Sequence, residues 1–386
     1  DIGVSDYLDA VVYGNEVEHG KPEPDIFLLA ADAIGVKPEN AIVVVDSING
    51  IKAGHAAGMR VIHVPDTIAI DDEIRKLTYC VCNDLTEIAD IVDSINKPVI
   101  NRKAVLNAFA GYVHYYDPSD GKIKLKIDHT YRVAALCERI AKAAGMCVYD
   151  VELAWLSGML HDVGRFEQIK RYNTFSDADS VDHAKFGADL LFKDGLLSTF
   201  LNGMVKCTGY KPGALENRYS SDGVFLYDRL NKSDMEMLEL AIRCHNMYRI
   251  PQGLNRREQA FCNVLRDADK VDIFKVNIDT PLEEIYNTTT EELMKSDITD
   301  EVLEAFDEEH CILKAIRRTP ADTVIGHVSL AYELVYDESV RITVEQGYLA
   351  KLMHFHSDNE ETNRKMAMVR EKMDSYVKKR IGEKDA

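Results

Sequence analysis

The chain has 386 residues, enough for two or more domains with their own cores, and 46% of them are hydrophobic, an ordinary globular value that excludes wholesale disorder. Its 65 acidic and 46 basic side chains leave a formal charge of −19, which disfavours partners such as duplex nucleic acid or an anionic membrane surface. No apolar run reaches a membrane span, no signal segment opens the chain, and eight cysteines with one close pair, Cys80 and Cys82, make no disulfide framework, so reduced thiols in a cytoplasmic setting are expected.

The chain opens on Asp1 rather than Met, which reads as a piece of something longer. Residues 10–13 read as a short strand. Residues 25–34 place Ile26, Leu29, Ala30 and Ala33 at helical spacing, with Gly35 as a stop. Residues 41–45 form a continuous apolar run rich in β-branched residues, the mark of a strand buried on both faces. A helix over 50–57 and a buried strand over 61–64 follow, and this strand–helix alternation predicts a parallel sheet with helices over it.

The character changes after Lys97-Pro98, so a domain boundary is drawn there, giving 1–97 and 98–386. Beyond it the long periodic segments are helical: 103–115, 128–144, 151–160, 182–192, 235–245, 256–275, 291–304, 321–334 and 342–376. These hold histidines and aspartates in a pattern that suits a divalent transition metal, because imidazole and carboxylate are its preferred ligands. His129 opens one helix. His161 and Asp162 close another, in Gly158-Met159-Leu160-His161-Asp162-Val163-Gly164-Arg165. His183 opens a third, His245 ends a fourth, and Asp269 lies inside a fifth, in Arg266-Asp267-Ala268-Asp269-Lys270.

This order resembles the HD-domain superfamily of metal-dependent phosphohydrolases, in its two-metal variant, over about residues 102–275, with additional helices over 276–386. The resemblance implies an all-α helical bundle. It also implies that His129, His161, Asp162 and Asp269 hold one metal, and that Asp162 bridges to a second completed by His183 and His245. Asp267 and Asp269, two apart on a helix, cannot share a face. The family's Ala-Asp-Lys segment implies Asp269 as the ligand and leaves Asp267 to cap or orient a histidine. Asp162, Arg165 and Lys126 are the catalytic candidates. Arg165 is implied to bind substrate phosphate, with an ion pair to a neighbouring helix as the alternative. Lys126 and Arg132 lie on or near the face of His129, with solvent exposure or salt bridges as their alternatives. The polar stretch 171–182 reads as a loop over the site.

In the first hundred residues, Gly20-Lys21-Pro22-Glu23-Pro24-Asp25 and Val43-Val44-Val45-Asp46-Ser47 resemble the haloacid dehalogenase superfamily of sugar-phosphate phosphatases and mutases. The resemblance implies a partial α/β Rossmann-like core, with Lys21 stabilising phosphate and Asp46 helping to hold Mg²⁺. The Asp-x-Asp nucleophile motif of that family would lie upstream of Asp1, so Mg²⁺ is implied only if missing sequence completes the core. Asp117–Gly121 reads as a turn.

The fold class is therefore multi-domain, a partial α/β core followed by a helical bundle. The expected function is a phosphohydrolase using two divalent ions (Mn, Fe, Ni or Zn) on a small phosphorylated metabolite or nucleotide. A di-iron oxygenase and a non-catalytic ligand sensor are the alternatives. Cyclic dinucleotides are demoted as substrates, because Gly209-Tyr210-Lys211-Pro212 lacks the Gly-Tyr-Pro context.

Overall fold

The computed structural model describes residues 7–66, 70–82, 84–94, 100–202, 230, 232–286 and 288–382; Cys207 and Gly209–Pro212 lie outside them. In chain order the elements begin with α1 (Asp25–Ala33), β1 (Ile42–Val45), α2 (Ile48–Ala56), β2 (Arg60–His63), α3 (Asp72–Arg75), β3 (Cys80–Val81), α4 (Thr86–Ser94) and α5 (Arg102–Val113). There follow α6 (Gly121–Ala143), α7 (Val148–Leu160), α8 (Val163–Tyr172), α9 (His183–Ala188), α10 (Leu196–Asn202), α11 (Lys232–Cys244) and α12 (Arg256–Asp279). The last are α13 (Leu282–Tyr286), α14 (Thr290–Lys295), α15 (Asp300–Asp307), α16 (Pro320–Val328), α17 (Asp337–Gln346), α18 (Tyr348–Met353) and α19 (Glu360–Ile381). Two compact units share these, residues 1–108 with 188–262 and residues 109–187 with 263–386.

The first unit contains the parallel sheet, in the order β1-β2-β3, with Val43 opposite Val61 and His63 opposite Val81. Val43, Ile51, Val61 and Ile74 pack on one side of it, and Ile62, Cys80, Cys82 and Ile91 on the other. Residues 10–13 form no strand; Val11 and Tyr13 are exposed, and a strand without a paired neighbour has nothing to satisfy its amides. Nor is β1 buried on both faces, since Val44 stays 41% exposed on what is, among the described residues, the sheet's edge strand. The two-residue β3 is too short to carry a period and is not anticipated by the sequence.

In the second unit α6 and α7 are the central pair. The α6 helix starts seven residues ahead of the predicted 128, because Asp120 caps it by accepting from the Lys122 amide at 2.8 Å. Asp117 accepts from Ser119, so the stretch before it is the expected turn. Nearly every residue of α7 is buried, which is why its pattern is apolar all round. The C-terminal helices share a core that includes Phe274, Val302, Phe306, Val324, Ile325 and Met366. The predicted helix 291–304 is broken ahead of Thr299, whose amide and hydroxyl both bond Asp322. The predicted helix 342–376 is cut at Gly347, which takes φ +69°, and again where Asn359 caps α19. The predicted 321–334 ends as α-helix at Val328 and continues as a 3₁₀ turn over Ser329–Glu333. Among the described residues no helix is long and apolar enough to cross a membrane, and the seven cysteines seen are free thiols.

Candidate metal centre

Five of the six expected ligands fall in the second unit. His129 sits within α6 rather than at its start, a consequence of the cap at Asp120. His161 follows the last residue of α7, Asp162 precedes the first residue of α8, His183 starts α9, and Asp269 projects from within α12. His245 follows α11 and belongs to the first unit.

Asp162 is the meeting point. Its Oδ2 lies 3.5 Å from His129 Nε2 and 3.6 Å from His161 Nε2, and its Oδ1 lies 3.5 Å from His183 Nε2. Asp269 Oδ1 comes within 3.1 Å of His129 Nε2 and 3.9 Å of His161 Nε2. The two carboxylate oxygens of Asp162 thus face different histidines. His129, His161 and Asp269 each offer a donor atom within 4.8 Å of the others.

The ring nitrogens are sorted by their partners. His129 Nδ1 lies 2.6 Å from Asp272 Oδ2, and His161 Nδ1 lies 2.8 Å from the Gly158 carbonyl. His183 Nδ1 lies 2.7 Å from Asp177 Oδ2, and His245 Nδ1 lies 2.7 Å from the Ile242 carbonyl. Carbonyl and carboxylate oxygens only accept, so each Nδ1 is a donor and a neutral His161, His183 or His245 presents its lone pair at Nε2, whereas His129 Nε2 itself faces the Asp269 carboxylate at 3.1 Å. His129 Nε2 and His161 Nε2 then stand 3.2 Å apart. Two ring nitrogens that close need either a proton on one of them or a cation against both. The donor set, imidazole nitrogen plus carboxylate oxygen, fits a divalent transition ion.

Two glycines allow the approach. A Cβ on Gly158 would lie 2.6 Å from Ala134 Cα, so α7 crosses α6 in close contact and brings His161 to His129. A Cβ on Gly164 would lie 2.4 Å from the His183 carbonyl oxygen and 2.7 Å from the Gly187 nitrogen, so α8 and α9 touch backbone to backbone beside Asp162 and His183. Both glycines belong to the Gly158–Arg165 stretch that the sequence singles out.

Charge at the site follows the same geometry. Burial alone would raise the Asp162 carboxyl, but Lys126, with His161, His183 and Arg165, holds it well below the usual carboxylate range. Lys126 Nζ is 2.7 Å from Asp162 Oδ2. Burial and Lys126 push His129 down, yet its hydrogen bonds to Asp269 and Asp272 leave it raised. His161 is lowered, by burial first and by His129 beside it.

Arg165 Nε stands 3.8 Å from Asp162 Oδ1, while Nη1 donates to Gln168 Oε1, the Phe175 carbonyl and Asp177. Arg132 grips Asp272 with two hydrogen bonds, at 2.6 and 2.9 Å, and Asp272 grips His129. Asp267 points elsewhere: it accepts from the amides of Val335 and Tyr336 at 3.0 Å and from Ser339 Oγ at 2.7 Å, fastening the start of α17. Asp272 is the residue that sequence reasoning missed, with only its helical spacing three along α12 from Asp269 as a signal, while Asp177 is foreseen as part of the polar loop 171–182 but not as the partner of His183. In the first unit Lys21 lies over the Phe27 ring at 5.0 Å, and Asp46 is exposed beside Ser47, whose hydroxyl caps α2.

A family model described as "HD domain" matches residues 127–276, and one described as "Haloacid dehalogenase-like hydrolase" matches residues 1–64. The chain thus joins a segment that matches haloacid dehalogenase-like hydrolases to one that matches the HD domain, and its order of sheet and helices is consistent with both. Over 63 residues it is 46% identical to fructose-1-phosphate phosphatase YqaB of Escherichia coli strain K12, covering 16% of this chain and 34% of that protein. It is 40% identical over 57 residues to a phosphorylated carbohydrates phosphatase of Thermotoga maritima, 15% of this chain and 26% of that one. With the bifunctional riboflavin kinase/FMN phosphatase of Arabidopsis thaliana it shares 44% identity over 63 residues, 16% of this chain and 17% of that one. The chain spans about a third or less of the length of these relatives. No solved structure matches it.

Proposed function

We propose that an HD domain joined to a haloacid dehalogenase-like segment makes this chain a phosphohydrolase, with a two-metal centre acting on a small phosphorylated metabolite or nucleotide. The division falls near residue 97, with the centre in residues 98–386. His129, His161, Asp162 and Asp269 would hold one ion; Asp162, His183 and His245 would hold the other. The observation that carries this reading is the split of Asp162, Oδ2 toward His129 and His161 and Oδ1 toward His183. A single carboxylate facing two imidazole sets is what bridging requires.

Two divalent ions, when bound, polarise the phosphoryl group and bring the pKa of water toward neutrality. The chain's own residues do the rest. Asp162, kept ionised by Lys126, stays available as a bridging anion at any physiological pH. Lys126 and Arg165 flank it and supply cations to the phosphoryl oxygens. Asp272 keeps the His129 proton on Nδ1, so Nε2 remains a donor to a cation. Lys21 and Asp46 are assigned to phosphate and Mg²⁺ in the dehalogenase-like segment, for a reaction that also needs an aspartate nucleophile outside residues 1–97.

The test is elemental analysis of the purified chain, then phosphate release from a panel of phosphomonoesters and phosphodiesters by wild type and Asp162→Ala. Two transition ions per chain and release lost in Asp162→Ala are expected. Bound iron with oxygen consumption and no phosphate release would overturn hydrolysis. Undiminished release in Asp162→Ala would overturn the centre itself.

A further inference from the structure

We infer that Asp177 is a positioning residue that ties the loop over residues 173–182 to the metal centre. The inference deepens the two-metal reading above and rests on it for what His183 is positioned to do. The loop begins where α8 ends at Asn173, in the left-handed region with φ 53°. Two side chains of α8 hold it down. Arg165 Nη1 donates to the Phe175 carbonyl at 2.7 Å and to Asp177 Oδ1 at 2.9 Å. Gln168 Nε2 donates to Asp177 Oδ1 at 3.0 Å, to Ser180 Oγ at 2.8 Å and to the Val181 carbonyl at 3.0 Å.

The same carboxylate also accepts from His183 Nδ1, which lies 2.9 Å from Oδ1 and 2.7 Å from Oδ2. His161 and His245 are fixed by the carbonyl three residues earlier in their own helices. His183 opens a helix, and its Nδ1 faces the Asp177 carboxylate of the loop, so the loop helps set its orientation. Turning the ring over would put Cδ2 where Nδ1 meets Asp177 and Cε1 where Nε2 faces Asp162, so a carbon would replace the nitrogen donor at the centre. Asp177 is what selects the productive face. Arg165 is therefore engaged in the loop as well as near Asp162, and Phe175 carries both Arg165 (5.8 Å) and Lys126 (5.5 Å) over its ring. A phosphate that drew Arg165 away would loosen the loop at Phe175 and Asp177 together.

The experiment uses the full chain in two readouts. The first is the ¹⁵N spectrum of histidine-labelled, metal-free protein, which reports each ring's tautomer. The second is Co²⁺ titration followed by visible absorption. Wild-type His183 is expected as the Nδ1–H form. Asp177→Ala mixes the tautomers and weakens the second Co²⁺ about 10- to 100-fold while the first is kept. Asp177→Asn, whose amide oxygen still accepts from Nδ1–H, recovers most of both. Arg165→Gln speeds amide exchange in 174–181 without changing the His183 tautomer. An unchanged tautomer in Asp177→Ala, or an Asp177→Asn variant no better than Asp177→Ala, overturns the inference. Should wild type bind a single Co²⁺ while Asp177→Ala still scrambles the His183 ring, the two-metal reading falls and the positioning role stands.

Discussion

A methyl group added at Gly164 would arrive 2.4 Å from the His183 carbonyl oxygen, 2.7 Å from the Gly187 nitrogen and 3.0 Å from its Cα. Non-bonded heavy atoms settle at roughly 3.5–4 Å, so in Gly164→Ala the two backbones must part by on the order of 1 Å. None of the obstructing atoms is a flexible side chain, so the strain cannot be absorbed locally. His183 rides on α9, and its 3.5 Å approach to Asp162 widens with the helix. Overpacking of this kind costs about 1–3 kcal/mol of stability, and a displacement of about 1 Å at a reacting site costs about 100-fold in rate. Thermal unfolding and Co²⁺ titration measure the two effects separately. Gly164→Ala is expected to stay folded, lose the second Co²⁺ and keep the first. Gly187→Ala, whose added carbon meets its nearest atom at 3.0 Å and the next at 3.5 Å, should be clearly milder. If Gly164→Ala binds both ions as wild type does, or if Gly187→Ala is the more damaging, the account of the α8–α9 contact is wrong.

Gly158→Ala should mirror this at the other pair: its added carbon meets Ala134 Cα at 2.6 Å, so the first Co²⁺ weakens more than the second, read in the same titration. Asp272→Ala removes the acceptor of His129 Nδ1 and should weaken the first ion about 10- to 100-fold, whereas Arg132→Gln, one step further out, should cost less. Because His129 is raised in the metal-free protein, uptake of the first ion should release a proton and weaken as pH falls through that raised value; calorimetry in buffers of different ionisation enthalpy counts the proton. Asp162, Asp177 and Asp272 are all held low, so their stabilisation is present above the ordinary carboxylate range and fades as pH falls through their depressed values; acid unfolding followed by circular dichroism should shift to higher pH in Asp272→Ala.

The ligand candidates are legible in sequence because they come one or two at a time within a helix or at a helix end, in an order that chain direction preserves. What holds them is less legible. Asp272 meets His129 across 143 residues and Asp177 meets His183 across a loop, and neither contact leaves a period or a motif. The choice between Asp267 and Asp269 was open to helix geometry, but Asp267's task became visible only with residues 335–339 folded beside it. Residues 10–13 carry β-branched letters without a neighbour to pair with, while Cys80–Val81 pairs correctly with almost no signal of its own. Propensity is local, and sheet membership is decided by what lies alongside.

The grip of Asp267 on Val335, Tyr336 and Ser339 has a practical corollary for anyone trimming this protein. The HD match stops at residue 276, yet a chain cut there would strand a carboxylate that is 0% exposed and stripped of its three donors. Two positions away, Asp269 would be first to drift. The final hundred or so residues are thus part of the gun-carriage that aims a candidate ligand, and a minimal version of the domain is expected to need them.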